Sequence, residues 1–142
     1  MKILILNGPN LNLLGTRQTD IYGEQTMEEI FGDIKEHFAD HQISYLQSNH
    51  EGDIIDKLHE VGFDFDGVVL NAGAYTHTSI AIADAINAIT TPVVELHISD
   101  IYKREAFRKV SFLKDVCVHH IIGKGVAGYK LAVAYLINTD QN

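Results

Sequence analysis

The sequence predicts an α/β fold of the doubly wound type, built on a parallel sheet. Five short apolar runs rich in β-branched residues recur along the chain, and segments with helical apolar spacing separate them. Apolar runs that are continuous rather than alternating are typical of strands buried on both faces of a parallel sheet. Alternation of strands and helices is typical of α/β folds. The length of 142 residues suits one domain, so we expect a single domain over residues 1–142.

The apolar runs predict five strands: KILILN (2–7), ISYLQS (43–48), GVVLNAG (67–73), PVVELHIS (92–99) and VCVHHIIG (116–123). The helical spacing predicts helices over residues 26–41, 52–62, 79–89 and 126–138, and a weaker one over 104–112. Thr26 and Glu29 have the spacing of a capping box, and Ser79 or Thr78 is the expected cap of the third helix.

One long stretch, from Asn7 to about Gln25, has no regular pattern. A connection of that length in a compact domain is usually functional, and we expect a lid there.

Composition narrows the classes of partner. The formal net charge is −8, and an acidic surface disfavours nucleic acid and anionic membranes, so we expect neither partner. No apolar run approaches the ~20 residues that a membrane span requires. MKILILNGPN is interrupted too early for a signal peptide, and we expect a cytoplasmic protein. The single cysteine, Cys117, lies in an apolar run and is expected to be a buried small hydrophobe rather than a catalytic thiol.

Residues 123–128, GKGVAG, have the Gly-x-Gly-x-x-Gly pattern of a dinucleotide-binding turn. Such a turn normally follows the first strand of its unit, whereas this one follows the last predicted strand. We therefore expect no NAD or FAD. Gly125 and Gly128 are instead expected to let the last helix approach the sheet.

Polar side chains crowd the predicted carboxyl ends of the strands, which is the edge where open parallel sheets bind ligands. Individually, each has a structural alternative. Asn10 beside Pro9 could shape a turn, Tyr22 with Gly23 could form a surface turn, and His77 could cap a helix. Together they come from independent loops and predict one binding site, formed by Asn10, Asn12, Arg17, Tyr22, Asn49, His50, Asn71, His77, Glu95, His97 and Ser99.

No metal site is predicted among these residues. We expect Glu95 and His97 to face opposite sides of their strand, which would prevent them from chelating a metal together. Arg108, on KREAFR, could be one more solvated helix charge.

The constellation resembles the type II 3-dehydroquinate dehydratases over nearly the whole chain. The motifs NGPNLNLLGTR, YG, SNHEG, LNAGAYTHTS, ELHIS, REAFR and GKGVAGY occur in the order and spacing of that family. The resemblance implies a flavodoxin-like five-stranded parallel sheet of order 2-1-3-4-5. It also implies anti elimination of water from 3-dehydroquinate, through an enolate, to give 3-dehydroshikimate in the shikimate pathway. No cofactor is implied, and the implied assembly is a homododecamer, a tetramer of trimers.

The resemblance also assigns roles to residues. Tyr22 is implied as the base that takes a proton from the carbon beside the ketone, and His97 as the acid that protonates the departing hydroxyl. An ordinary tyrosine is largely protonated at neutral pH, and a nearby cation favours tyrosinate. Arg17, on the same loop as Tyr22, is the matching cation.

The other implied roles concern substrate binding. Asn10 helps to hold the enolate oxygen through a water, and the backbone N–H groups of Ile98 and Ser99 take the substrate carboxylate. The ring hydroxyls are held by Asn71, His77 and Arg108, while Asp84 reaches a neighbour's site, or its Arg108, across a trimer contact and Glu95 supports the site from behind. Asp100 stands where the family usually has Asn, and we expect it to face away from the anionic substrate.

Two other functions stay open from the residues alone. A flavodoxin-like FMN carrier needs a Ser/Thr-rich phosphate loop after the first strand, and NGPNLNLLG is not one. A response-regulator receiver needs an acidic pair after the first strand and an Asp after the third. The chain has Asn7 and Gly8 at the first place and Asn71 at the second.

Overall fold

The structure is a computed structural model and describes residues 1–16 and 18–140. Its strands are β1 (Lys2–Asn7), β2 (Gln42–Gln47), β3 (Gly67–Asn71), β4 (Val93–His97) and β5 (His119–Ile122). Its α-helices are α1 (Thr19–Tyr22), α2 (Met27–His37), α3 (Glu51–Val61), α4 (Ile80–Ala88) and α5 (Gly128–Asp140). Short 3₁₀ turns lie at Leu11–Leu13, Gly73–His77, Ile101–Lys103, Ala106–Arg108 and Gly125–Ala127.

The five strands form one parallel sheet of order β2-β1-β3-β4-β5, which confirms the predicted order. The register brings the carboxyl ends of the central strands level. Asn7 lies opposite Asn71 of β3, and Glu95 of β4 lies opposite His120 of β5. Polar residues at these ends therefore meet at one edge of the sheet.

Helices cover both faces of the sheet, which explains why the strand sequences are continuously apolar. Ile3 and Ile5 belong to the core on the side of α2 and α5, whereas Leu4 and Leu6 belong to the core on the side of α3 and α4. All four side chains are buried. Among the helices of the described residues, none combines the length and the apolar character needed to cross a membrane.

The predicted helix starts are confirmed by their caps. The Thr26 side chain accepts a hydrogen bond from the backbone N–H of Glu29 at 3.2 Å, at the start of α2. Ser79, rather than Thr78, caps α4 and accepts from the backbone N–H of Ile82 at 2.9 Å. These bonds satisfy donors that the first helical turn leaves without partners.

The predicted helix over residues 104–112 is wrong. The segment contains only the 3₁₀ turn Ala106–Arg108, and its polar groups bond across the fold instead of along a helix. The backbone N–H of Phe112 donates to the Thr76 carbonyl at 2.9 Å, and the Val110 carbonyl accepts from the His77 ring at 2.7 Å. Contacts with the β3–α4 connection thus replace the helical hydrogen bonds.

The stretch from Asn7 to Gln25 is more regular than predicted. Leu11 and Leu14 are buried in the core on the α2 and α5 side, and α1 follows them. These anchors attach the start of the segment to the sheet. Arg17 lies outside the described residues.

In the glycine turn before α5, the predicted packing role is confirmed for Gly128 and is wrong for Gly125. A Cβ on Gly128 would lie 2.7 Å from Leu96 Cδ1, so any other residue would force the Leu96 side chain to shift, and glycine lets α5 pack this close to β4. A Cβ on Gly125 would meet nothing within 4 Å. Its φ of 63° is the reason for glycine there.

Gly8, between β1 and the first 3₁₀ turn, should be intolerant of any side chain. A Cβ there would lie 2.5 Å from the Ala72 carbonyl oxygen, which is backbone and cannot rotate away. We expect Gly8→Ala to lower the free energy of unfolding by about 1–3 kcal/mol, the usual cost of overpacking. Gly32→Ala is the matched control, because Gly32 lies within α2 and a Cβ there meets nothing within 4 Å. It should raise stability by roughly 0.5–1 kcal/mol. Urea unfolding of both variants measures this, and equal stability of the two would contradict the packing argument.

Candidate active site

A cavity of about 180 Å³ opens at the carboxyl edge of the sheet. It is lined by Pro9, Asn10, Leu11, Leu14, Gln18, Tyr22, Asn71, Gly73, Ala74, His77, His97, Ile98, Ser99, Ile101, Arg104 and Arg108. These residues follow β1, β3 and β4, so the cavity lies where the sheet topology predicts a ligand site.

The cavity brings together most of the predicted site residues: Asn10, Tyr22, Asn71, His77, His97, Ile98, Ser99 and Arg108. Glu95 lies behind His97 and does not line the cavity. Asp84 is exposed on α4, away from the cavity of its own chain. Asp100 also does not line the cavity, and its carboxylate accepts from the backbone N–H of Tyr102 at 3.0 Å.

Glu95 and His97 point to the same side of β4, so the expectation that they face opposite sides is wrong. Side chains alternate along a strand, and residues two apart therefore share a face. His97 Nε2 lies 2.9 Å from Glu95 Oε2, and both side chains are almost completely buried. A carboxylate is an acceptor only, so Nε2 carries the hydrogen and Nδ1 is the ring nitrogen left for the cavity.

Two hydroxyl groups complete the surroundings of Glu95 Oε2. Thr76 Oγ1 donates to it at 2.6 Å, and Ser111 Oγ donates at 2.5 Å. Burial acts to raise the pKa of Glu95, but the hydrogen bond and charge of His97, with these two hydroxyls, outweigh burial and lower the pKa to about 2. Glu95 is therefore a carboxylate at neutral pH, fixed behind the His97 ring.

A second imidazole lies beside His97. The rings of His77 and His97 are stacked, with 6.4 Å between their centroids. Burial lowers the pKa of His77, and the charges of His97 and Arg108 act in the same direction, against the hydrogen bond to Val110 and the charge of Glu95. A neutral His77 that donates from Nδ1 to the Val110 carbonyl presents Nε2 as an acceptor.

Arg104 contacts Tyr22, a partnership that the sequence analysis missed. Arg104 Nη1 donates to the Tyr22 hydroxyl at 2.9 Å, and the guanidinium carbon lies 5.8 Å from the centre of the Tyr22 ring. Nη1 also lies 3.5 Å from Ser99 Oγ. The described part of the chain thus has a cation beside Tyr22, which is the role that the resemblance gave to Arg17. The one indication in the sequence was that REAFR contains two arginines, and the resemblance gave a role only to Arg108.

Arg108 and Arg104 share a carboxylate at the mouth of the cavity. Glu105 Oε2 lies 2.8 Å from Arg108 Nε and 3.9 Å from Arg104 Nε. Arg108 is therefore not one more solvated charge. Both guanidinium groups line the cavity and make it attractive to an anion.

A chain of hydrogen bonds ties the ends of β1 and β3 to α5. The buried Tyr129 hydroxyl donates to Asn7 Oδ1 at 2.9 Å and accepts from Asn71 Nδ2 at 3.2 Å. Burial raises the pKa of Tyr129 far above its usual range, so the hydroxyl keeps its proton. The Asn71 amide is fixed at its other end, where Oδ1 accepts from the backbone N–H of Gly73 at 3.1 Å. Sequence patterns contain no sign of this chain, because its members are far apart in sequence.

Asn10 adopts a left-handed backbone conformation with a φ of 71°. Its backbone N–H donates to Asn49 Oδ1 at 3.0 Å, and Gln47 Nε2 donates to the same oxygen at 3.0 Å. Asn49, predicted at the rim, therefore shapes the loop that carries Asn10 and does not line the cavity.

The other titratable side chains of the described residues are not arranged for metal binding or for thiol chemistry. Within residues 1–16 and 18–140, no group of three His, Cys, Asp or Glu side chains is placed to hold a metal ion. Cys117 packs against the core, and burial, with the negative charge of Glu95, raises the pKa of its thiol. A protonated thiol agrees with the structural role predicted for Cys117.

Comparisons with known proteins point to one family. The family model described as dehydroquinase class II matches residues 1–137. A 3-dehydroquinate dehydratase from an Exiguobacterium species is 52% identical over 143 residues, covering 100% of this chain and 98% of that protein. One from Bacillus pumilus is 51% identical over 138 residues, covering 95% and 93%. The crystal structure of a type II dehydroquinase from Butyrivibrio crossotus superposes with a TM-score of 0.92 at 45% identity, covering 96% of this chain and 97% of that one. These matches do not support the alternative of an FMN carrier.

Glu95 should make stability depend on pH in the acid range. Folding lowers the pKa of Glu95 from 4.5 to about 2. The ionised carboxylate therefore contributes fully to the free energy of unfolding above the unfolded pKa, and this contribution is lost as the pH falls through the folded pKa. The shift corresponds to roughly 3 kcal/mol. In Glu95→Gln this contribution is absent, so the stability gap between the two proteins should narrow by that amount between about pH 5 and pH 2. Urea unfolding across this range measures it, with the exposed Glu36→Gln as control. A gap that stays constant would contradict the role of Glu95.

Proposed function

The chain belongs to the class II dehydroquinase family, and from that premise we propose that it eliminates water from 3-dehydroquinate, with Tyr22 as base and His97 as acid. The product is 3-dehydroshikimate, and the reaction is a step of the shikimate pathway. One observation carries the assignment of roles. A phenol beside a guanidinium and an imidazole held by a buried carboxylate line the same cavity.

In the first step, Tyr22 acts as a tyrosinate and takes a proton from the carbon beside the ketone. The electron pair of that C–H bond forms a C=C bond, the π pair of the carbonyl moves onto its oxygen, and the product is an enolate. Arg104, at 2.9 Å from the Tyr22 hydroxyl, stabilises the tyrosinate by its charge. Arg17 is proposed to act on the same groups, and Asn10 to hold the enolate oxygen through a water, in the manner of an oxyanion hole.

In the second step, the enolate collapses and the bond to the β-hydroxyl breaks. His97 gives that oxygen a proton from Nδ1, and water leaves. Glu95 keeps the hydrogen of Nε2 in place and stabilises the protonated ring before transfer. Tyr22 has then gained one proton and His97 has lost one. Transfer of a proton from the first to the second, through solvent, restores both.

The cavity suits an anionic polyhydroxy acid. Arg104 and Arg108 supply positive charge, and Ile98 and Ser99 follow β4 directly, where their backbone N–H groups are proposed to bind the substrate carboxylate. Asn71 and the neutral His77 offer donors and acceptors to the ring hydroxyls.

A covalent route through a lysine has no support in the described residues. A Schiff base requires a lysine inside the cavity, kept neutral by its surroundings. None of the described lining residues is a lysine. The side chain of Lys103, two residues after the cavity residue Ile101, is 84% exposed, and its Nζ lies 3.9 Å from Asp100 Oδ2. We therefore propose a non-covalent enolate.

We also propose the trimer-based dodecamer. Exposed apolar side chains surround the start of α4, where Ile80 is 61%, Val110 56% and Phe112 42% exposed. The backbone contacts of residues 110–112 with Thr76 and His77 bring these side chains to one region of the surface. Exposed apolar patches of this kind mark contacts with other proteins. Asp84, exposed on the same helix, is proposed to reach a neighbour's site or its Arg108.

Tyr22→Phe should abolish most of the activity without unfolding the protein. It removes the oxygen that takes the proton and leaves the ring, so kcat is expected to fall by ~10²–10⁴. The absorbance of the conjugated enone product, followed after addition of 3-dehydroquinate, measures kcat. Tyr102→Phe is the control, because Tyr102 is 44% exposed and does not line the cavity. Near-normal turnover by Tyr22→Phe would remove Tyr22 from the mechanism.

Light scattering should give a mass close to twelve times the chain mass of 15.8 kDa at micromolar concentration. Asp84→Ala should lower this mass, weaken substrate binding, or both, while Asp56→Ala on α3 serves as control. A stable monomer with full activity would contradict the proposed assembly.

A further inference from the structure

We propose that His120 is a positioning residue for His97, the proposed acid of the reaction. His120 holds Oε1 of the Glu95 carboxylate, and the other oxygen of that carboxylate, Oε2, fixes His97. The proposal rests on the function proposed above. It starts from the sheet register, in which Glu95 of β4 and His120 of β5 are direct partners. Paired residues of neighbouring parallel strands project to the same face, so the two side chains meet. His120 Nδ1 lies 3.1 Å from Glu95 Oε1.

The two oxygens of Glu95 are not equivalent. Oε2 accepts from His97, Thr76 and Ser111. In the part of the chain that the structure describes, Oε1 has a single hydrogen-bonding partner, His120. His120 therefore acts with the donors on Oε2 to set the rotation of the carboxylate about its last bond, and that rotation decides which oxygen faces His97 Nε2.

Burial makes this contact consequential. The Glu95 side chain is 1% exposed, so Oε1 has almost no access to bulk water, whereas the His120 side chain is 28% exposed and reaches the surface. A buried carboxylate oxygen that loses its donor must find another or be hydrated. Either response turns the carboxylate away from His97 or admits water behind it. His97 then loses the fixed partner that keeps its hydrogen on Nε2.

His120 can influence the reaction only through Glu95, because it does not line the cavity. Among the described residues, the ionisable groups around it are Glu95 on β4, His97 beyond that carboxylate and Cys117 earlier in the chain. The shallow surface hollow that His120 lines also contains His119, Lys124 and Tyr135. A proton taken up by His120 adds positive charge next to Glu95 and weakens the attraction of Glu95 for the proton of His97. Loss of His120 should therefore change kcat and its pH dependence, and leave KM almost unchanged.

Paired variants at His120 test the proposal. His120→Leu removes the donor and keeps the volume, and we expect kcat to fall by about 10- to 100-fold, the usual effect of removing a group that orients a site residue. KM should stay within roughly twofold, and the pH profile of kcat should shift. His120→Asn keeps a donor near the position of Nδ1, and kcat should return to within about threefold of the unaltered protein. His119→Leu is the control, because the His119 ring stacks on Tyr135 at 4.0 Å, on the opposite face of β5.

A measurement without substrate separates this proposal from the proposed function. ¹⁵N-histidine spectra of the unaltered protein should show protected ring N–H groups at His120 Nδ1 and His97 Nε2, both lost in Glu95→Gln. The same spectra decide the matter if His120→Leu fails to fold. An unprotonated His120 Nδ1 at neutral pH, or unchanged kcat and pH profile in a folded His120→Leu, would overturn the proposal. Inactivity of the unaltered protein on 3-dehydroquinate would defeat the proposed function and leave the spectral test standing.

Discussion

The carboxylate of Glu95, buried in the sheet, is the constraint on which the rest of the site depends. A charge without solvent is stable only when donors surround it. Here they come from four places: Thr76 before α4, His97 on the same strand, Ser111 in the β4–β5 connection and His120 on β5. Satisfying one carboxylate therefore draws three segments together around His97, the proposed acid of the reaction. It also accounts for the irregular course of residues 104–112, whose polar groups turn toward the site and not along a helix.

The cavity has two chemically different sides that the sheet edge holds in register. On one side, the His97 ring is hydrogen-bonded to the buried Glu95 carboxylate. On the other, the Tyr22 hydroxyl accepts a hydrogen bond from the Arg104 guanidinium. Between them, the buried Tyr129 hydroxyl holds the Asn71 amide, which lines the cavity, in one orientation. The roles proposed for Tyr22 and His97 match the base and the acid that elimination of water from a β-hydroxy ketone needs on two sides of one substrate.

Local signals in the sequence predicted the strands, the caps at Thr26 and Ser79 and the edge at which the site lies. Long-range contacts could not be predicted from these local signals. Thr76 and Ser111 acquire their roles only from the course of the β3–α4 and β4–β5 connections, and His120 acquires its role from the register of β4 with β5. Arg104 carries no feature that separates it from a solvated charge, since its partner Tyr22 is 82 residues away. The error at Glu95 and His97 was one of strand periodicity, because residues two apart share a face. The family motifs identified most of the predicted site residues, because together they are specific although each residue alone is a weak indication of function.

The most direct test of the account is a trapping experiment, because the central claim is that no covalent bond to the protein forms. Borohydride added together with 3-dehydroquinate reduces a Schiff base to a stable amine. If the enolate is non-covalent, the treated protein keeps its activity and mass spectrometry finds the unmodified chain. Loss of activity together with substrate mass on any of the eight lysines of the sequence would contradict the roles given to Tyr22 and His97, even if the net reaction is dehydration.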